Sequence, residues 1–325
     1  MIQTVLREEM EKILTPDRIL YNEPMDRHCS FRTGGPADAL VKVKTEKEMA
    51  ALLQLLRNCG EPCFLLGKGT NLLIGDGGYR GVIVTAAAEP AENLPERKEE
   101  HSPEGVDDLP LDGIRVDGCS ITAGAGATLK AAALAALKHG LTGLEFAAGI
   151  PGTVGGGLVM NAGAYGGEIR LVTGTVRLLM PDGSVREYSP EQMEFGYRTS
   201  ILRRVDAAAL RARFDLTPGD PEKIRARIAD LSEQRRSKQP LEYPSAGSTF
   251  KRPEGFFAGK LIMDAGLAGY SVGGAQVSEK HCGFVINRGG ANSAQIRRLI
   301  EDVQNKVFED TGIRLEREVI FLGEF

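Results

Sequence analysis

Apolar residues recur along this chain at two spacings, and the changes between them mark its elements. The opening MIQTVLREEMEKIL predicts a helix that stops before Thr15-Pro16. The apolar run Ala39 to Val43 reads as a strand. Thr45, with Glu48 three residues later, forms a capping box for a helix ending at Asn58-Cys59, with Gly60 as its C-cap. Cys63 to Leu66 and Val82 to Val84 read as two further buried strands. Past residue 112, Ile114 to Val116 and Ile121 to Ala123 predict short strands, and Thr128 to His139 an Ala/Leu helix closed by Gly140. Val172 to Met180 and Val185 to Tyr188 flank the turn Pro181-Asp182-Gly183-Ser184 as a hairpin, and Ala209 to Leu216 reads as the next strand. Asp220-Pro221 starts a charged helix that runs to about Ser237. Asn292 or Ser293 caps a helix with Ile296, Leu299, Ile300, Val303 and Val307 on one face, ending at Gly312. The alternation from Arg314 to Leu322 predicts a last strand.

This mixture predicts an α+β chain in three parts, 1–86, 87–217 and 218–325, with no internal repeat. Its 325 residues suffice for about two or three domains of ordinary size. Residues 88–112 hold nine carboxylates, four prolines and no aromatic residue, the composition of a solvated loop with no chemistry of its own.

Charge narrows the partners. A net charge of −4 and a pI near 5.8, with no dense Lys/Arg stripe, leave no electrostatic footprint for nucleic acid or an anionic membrane. The first helix carries charge from Arg7 onward and lacks the apolar core of a signal peptide. No window approaches the ~18 uninterrupted apolar residues of a membrane span, so a cytoplasmic protein is expected. Cys29, Cys59, Cys63, Cys119 and Cys282 are odd in number and scattered, and read as thiols rather than as a disulfide framework. His28-Cys29 and His281-Cys282 match no structural-zinc spacing, and no metal is expected.

Glycine is the informative excess, 40 of 325 residues against an average of about 7%. Gly67-Lys68-Gly69-Thr70 is not a P-loop, since Pro62 stands where that motif needs glycine and Gly69 where it needs Ser or Thr. Neither Gly67-Lys68-Gly69 nor Gly124-Ala125-Gly126 has the third glycine of a dinucleotide fingerprint, because Leu72 and Leu129 occupy that place. Two glycine loops remain: Leu65 to Leu73, and Gly149-Ile150-Pro151-Gly152-Thr153-Val154-Gly155-Gly156-Gly157. Each alone reads equally well as a tight turn. Together, followed by Met160 to Gly166, they suit one extended dinucleotide held by backbone N–H groups.

The ordered set Phe31-Arg32-Thr33-Gly34-Gly35-Pro36-Ala37, the two loops, Tyr197-Arg198-Thr199-Ser200, Ala246-Gly247-Ser248-Thr249-Phe250-Lys251, Ala275-Gln276-Val277-Ser278-Glu279-Lys280-His281 and Leu315-Glu316-Arg317-Glu318-Val319 closely resembles the UDP-N-acetylenolpyruvoylglucosamine reductase family, flavoenzymes of bacterial peptidoglycan precursor synthesis. The likeness covers Arg27 to Gly323, interrupted by the acidic insert. It implies a two-domain FAD-binding region of the vanillyl-alcohol-oxidase type plus a C-terminal α+β substrate domain. It further implies a chain that uses NADPH to reduce FAD and then reduces UDP-N-acetylglucosamine enolpyruvate to UDP-N-acetylmuramate; a monomer is the default expectation. None of His28, His101, His139 and His281 lies in a glycine loop, so non-covalent FAD is expected.

By the same resemblance Arg198 binds the substrate carboxylate, Ser248 donates a proton to the α-carbon and Glu318 stabilises the enol intermediate. These roles meet the chemistry: hydride at the β-carbon leaves negative charge on the α-carbon and its carboxylate. Arg32, Gly67, Lys68, Gly69, Thr70, Asn71, Leu72, Gly149, Ile150, Gly152, Thr153, Gly155 and Gly156 are expected at the cofactor. Tyr197, Lys238, Arg252 and Gln276 are expected at the UDP-sugar. Many members carry Asn where this chain has Arg252, and the segment after Ser200 lacks the tyrosine-bearing lobe of some members, which resembles the shorter branch. The rival readings are another FAD reductase or oxidase on the same scaffold, which need not keep Arg198, Ser248 and Glu318 together, and a non-catalytic flavin module, which has little need of a third domain.

Overall fold

The computed structural model describes residue 2 and residues 4–87 and 109–325; of the acidic insert, 88–108, with His101, lies outside the described residues. The first part is built on a four-stranded sheet. Helix α1 (Thr4–Ile13) precedes β1 (Ile19–Pro24) and β2 (Pro36–Lys42), and α2 (Glu46–Asn58) precedes β3 (Cys63–Leu66), β4 (Leu72–Ile74) and β5 (Tyr79–Thr85). The sheet order is β1-β2-β5-β3, parallel at β2–β5 and β5–β3. The capping box forms, with Thr45 Oγ1 accepting the Glu48 N–H at 3.1 Å and the Glu48 carboxylate accepting the Thr45 N–H at 3.3 Å.

Strand alternation sends side chains to opposite faces. Ala39, Val41, Val82 and Val84 face Leu6 and Met10 of α1 and Leu52 and Leu56 of α2. Leu40 and Ile83 face the other way, into a core shared with the C-terminal part of the chain. A sheet buried on both faces accounts for the nearly continuous apolar runs of β2 and β5.

The second part is a five-stranded antiparallel sheet ordered Val185–Tyr188, Thr173–Leu179, Ala208–Asp215, β7 (Ser120–Gly124), β6 (Ile114–Asp117). Helices α3 (Leu129–Lys138) and α4 (Val154–Met160) share its core. Helix α4 is a departure from expectation, because part of the second glycine loop is helical. Thr153 caps it by accepting the Gly156 N–H at 3.2 Å, and Gly157 allows the helix backbone to rest on Leu129, whose methyl carbons lie 3.3 Å from where a Cβ would stand.

The third part holds α5 (Pro221–Lys238), α6 (Ala258–Asp264), the strands Ser271–Val272, Ala275–Val277 and Val285–Asn287, and α7 (Ser293–Thr311). The apolar stripe of α7, Ile296 to Val307, packs with Phe31, Leu73, Ile74 and Ile83 in the shared core. The seam is also polar. At the α7 N-terminus the Asp76 carboxylate accepts the Ser293 and Ala294 N–H groups at 2.8 and 2.9 Å, while Asn292 Oδ1 accepts that of Gln295 at 2.8 Å. Donors that helix geometry leaves without a partner are thus satisfied by a residue 217 positions away in sequence.

The last strand also departs from expectation. Only Ile320–Leu322 is strand, and it pairs in parallel with β4 of the first part, while Arg317 bridges to Phe250. The chain end continues along the same path, with the Gly77 N–H donating to the Glu324 carbonyl at 2.9 Å.

Asp76→Ala should lower the unfolding free energy by about 1–2 kcal/mol, the range for loss of a helix cap. Urea denaturation checks this, and an unchanged midpoint would mean that water replaces the carboxylate without penalty.

Candidate active site

The three parts meet at a cavity of about 840 Å³, within the size range of small-molecule sites. Its floor is the first glycine loop. Gly69 sits at φ 60, where a Cβ would collide with the His28 carbonyl, so only glycine lets the loop fold against that segment. Among the described residues, the N–H groups of Lys68, Gly69, Thr70 and Asn71 find no acceptor within the chain. Successive free N–H groups form an anion-binding concavity.

The second loop faces the first, and a Cβ on Gly67 would stand 2.7 Å from Thr153 Oγ1. Its own N–H groups are largely committed: Val154 and Gly155 donate to Ala127 and Ala125 carbonyls at 2.8 Å, and Gly157 to Thr153. The first loop therefore offers the donors, and the second a close backbone wall.

Arg198 occupies the tip of a turn in which Gly196 and Thr199 exchange backbone hydrogen bonds at 3.0 and 3.4 Å. Asn161 anchors this turn, donating through Nδ2 to the Gly196 carbonyl at 3.1 Å and to Glu168 at 2.9 Å. Arg198 itself has φ 55, and Arg32, Asn161 and Tyr165 around the cavity are also left-handed, at 55, 43 and 53. Such conformations cost about 1–3 kcal/mol each and cluster at binding sites.

Ser248 and Glu318 lie on neighbouring extended segments. Ser248 bridges to Phe284, the Thr249 N–H donates to the Gly283 carbonyl at 2.8 Å, and the Glu318 N–H donates to the Thr249 carbonyl at 2.9 Å. Glu318 Oε1 stands 2.7 Å from Arg198 Nε, with the carboxylate side chain 12% exposed and the guanidinium 24%. The two side chains thus form a close, half-buried ion pair, and Arg198 Nη1 also reaches the Gly163 carbonyl at 3.5 Å. Burial raises the Glu318 pKa above the ordinary carboxylate value; Arg198, and more weakly Lys251 and Arg203, oppose the rise without cancelling it.

A second cavity of about 440 Å³ adjoins the first, and Arg198, Ser248, His281 and Glu318 line both. Of the residues expected at the cofactor, Arg32, Gly67, Lys68, Gly69, Thr70, Asn71, Leu72, Ile150, Gly152, Thr153 and Gly156 line the larger cavity. Gly149 and Gly155 do not. Gly149 faces the Arg235 side chain, and Gly155 packs on Ala125. Lys238 lines the larger cavity, while Tyr197 and Arg252 line the smaller one, tied together by the Arg252 N–H donating to the Tyr197 hydroxyl at 3.1 Å.

Gln276 lines neither cavity. Its amide nitrogen donates to the Gly269 carbonyl at 3.1 Å and its oxygen accepts from Arg288 at 3.3 Å, so the side chain is spent within its own hairpin. Sequence reasoning missed Arg235, whose pKa burial depresses and which lines the larger cavity. Its spacing of three from Lys238 places both on one face of α5. It also missed Tyr243 on the cavity wall, where Tyr165 of the Met160–Gly166 segment also lies. His281, part of the Ala275–His281 motif but given no role in the sequence, lines both cavities; burial lowers its pKa, and Nδ1 accepts the Gly283 N–H at 3.1 Å.

Residues 107–189 match the family model described as the FAD binding domain. The chain is thus an FAD-dependent flavoprotein, in keeping with an α+β frame whose glycine loop presents free N–H groups to an anion. Residues 239–322 match the model of the UDP-N-acetylenolpyruvoylglucosamine reductase C-terminal domain. Enzymes of that name from Lachnoclostridium phytofermentans and Agathobacter rectalis are 46% and 48% identical, over 99% and 94% of this chain and 99% and 95% of their own lengths. The crystal structure of UDP-N-acetylenolpyruvylglucosamine reductase from Thermus caldophilus superposes with a TM-score of 0.72 at 31% identity, covering 94% of this chain and 98% of that one. The chain belongs to the UDP-N-acetylenolpyruvoylglucosamine reductase family.

The Glu318 carboxyl generates a pH prediction. Because its folded-state pKa is raised, its stabilising contribution is fully present below the unfolded pKa and is lost as pH rises through the folded pKa. The stability difference between wild type and Glu318→Gln should therefore shift against the wild type between pH about 4.3, the unperturbed value, and neutrality. Urea melts across that range measure it, and a pH-independent difference would refute the raised pKa.

Proposed function

We propose that this chain catalyses the NADPH-dependent reduction of UDP-N-acetylglucosamine enolpyruvate to UDP-N-acetylmuramate through FAD, in peptidoglycan precursor synthesis. The observation that carries the reading is the convergence of Arg198, Ser248 and Glu318 on the wall shared by two adjoining cavities, one of them floored by the glycine loop. The rival, another FAD reductase or oxidase, gives no reason for that convergence.

FAD, when bound, supplies the hydride that NADPH has delivered to it. Backbone N–H groups of Lys68 to Asn71 would hold its pyrophosphate, and the Gly152–Gly156 backbone would close over it. Arg198 presents a planar, permanently charged fork to the enolpyruvyl carboxylate, a task a lysine ammonium would serve less well. As hydride reaches the β-carbon, Ser248 hands its hydroxyl proton to the α-carbon and so completes the reduction.

Glu318 acts beside it as a protonated donor to the enol oxygen. The pair explains how that form arises. A substrate carboxylate at Arg198 competes with Glu318 for one guanidinium, and two carboxylates sharing one cation push the pKa of the buried one further up. Tyr197, Lys238 and Arg252 serve the UDP-sugar, Lys238 and Arg252 as cations toward its diphosphate.

Among the described residues no helix is long and apolar enough to cross a membrane. The reading places the protein in the cytoplasm as a monomer, and sedimentation checks the second point.

Stopped-flow absorbance separates the two half-reactions. Ser248→Ala should keep flavin reduction by NADPH and slow reoxidation by the enolpyruvyl substrate by about 10²–10⁴-fold, the usual worth of a general acid. A wild-type protein whose reduced flavin ignores that substrate would refute the reading in favour of the rival.

A further inference from the structure

One side chain joins the glycine loop to the segment that carries Glu318. Asn71 Nδ2 donates to the Glu318 main-chain carbonyl at 3.1 Å, and the Asn71 carbonyl accepts the Ile320 N–H at 3.0 Å. The terminal strand pairs in parallel with β4 in the register Leu72 to Ile320. Continued back by two residues, a parallel ladder would have the Glu318 carbonyl accept the main-chain N–H of residue 71. Here the Asn71 side chain makes that bond in its place. Among the described residues the Asn71 main-chain N–H then has no acceptor in the chain, and it joins those of Lys68, Gly69 and Thr70 at the cavity.

The consequence is mechanical. The Glu318 peptide is gripped at both ends, its N–H on the Thr249 carbonyl at 2.9 Å and its carbonyl on Asn71. One of those anchors is the residue next to Ser248, and the other is in the loop that cradles the anion. We propose that Asn71 is a positioning residue: its amide takes over the ladder bond to Glu318, which frees its own N–H for the loop's anion and fixes the carboxyl against that loop. This rests on the reading of Glu318 as a participant in substrate reduction. Displacement of a reacting group by about 1 Å can cost ~10²-fold in rate, so the grip should register in turnover although Asn71 never touches the Glu318 carboxylate.

The test uses the FAD-loaded full chain and two variants. Asn71→Ala removes the amide, and Asn71→Asp keeps its shape while replacing the donor with an acceptor that repels the carbonyl. Both are combined with Glu318→Gln. Flavin affinity by fluorescence titration, flavin reduction by NADPH, and the pH profile of reoxidation by substrate are read separately. The expected result is weakened flavin affinity together with, at saturating flavin, unchanged flavin reduction, reoxidation slowed about tenfold or more with its pH profile displaced, and no added loss of reoxidation in the double variants beyond Glu318→Gln alone. Wild-type reoxidation with an unmoved profile in both variants overturns the proposal. So does a loss confined to flavin affinity, with reoxidation at saturating flavin unchanged. Reoxidation at the wild-type rate in Glu318→Gln itself would instead refute the role of Glu318, and the inference with it.

Discussion

Pairing of Ile320–Leu322 with Leu72–Ile74 is the constraint on which the site depends. Those three residues per strand come from opposite ends of the chain and lie immediately beyond Glu318 and the glycine loop. A parallel pair cannot be closed by a tight turn, so the chain must pass through everything between before this contact can form. Apolar packing makes the return favourable. Phe31, Leu40, Leu73, Ile74 and Ile83 share one continuous core with the α7 stripe and with Leu315 and Val319. The polar seam then sets the register, with Asp76 on the α7 N-terminus and Asn287 Nδ2 donating to the Phe31 carbonyl at 3.0 Å.

With that seam fixed, burial of charge follows. The Arg198–Glu318 pair lies where the second part faces the joined first and third. Taking two charges out of water is costly, and attraction repays it only when the geometry is good. Here the pair stands at 2.7 Å, and the arginine backbone that carries it is left-handed. Burial raises the Glu318 pKa, and the cations around it oppose that rise without cancelling it.

Local signals were legible in the sequence because their physics is local. Thr45 and Glu48 marked a capping box, Asp220-Pro221 a helix start, Asn292 a cap, and Pro181 to Ser184 a hairpin; each forms as expected. The three proposed catalytic positions were legible only through ordered resemblance, since nothing in the alternation around Glu318 distinguishes a buried carboxylate from a solvated one. What stayed hidden depends on distant partners. The terminal strand looked longer because alternation continues through residues that bridge to Phe250 instead of joining a sheet. The second glycine loop looked open because glycines disfavour helix by about 1 kcal/mol each, yet Gly155 and Gly157 pack tightly on Ala125 and Leu129. Gln276 looked available because its motif could not reveal that Gly269 and Arg288 occupy its amide.

A crystal structure of the protein with FAD and UDP-N-acetylglucosamine enolpyruvate tests the central claim most directly. The account predicts the FAD pyrophosphate on the N–H groups of Lys68 to Asn71. It also predicts the substrate carboxylate on Arg198 in place of Glu318, with the α-carbon facing the Ser248 hydroxyl. A flavin bound away from that loop, or a substrate carboxylate that leaves the Arg198–Glu318 pair intact, would contradict it.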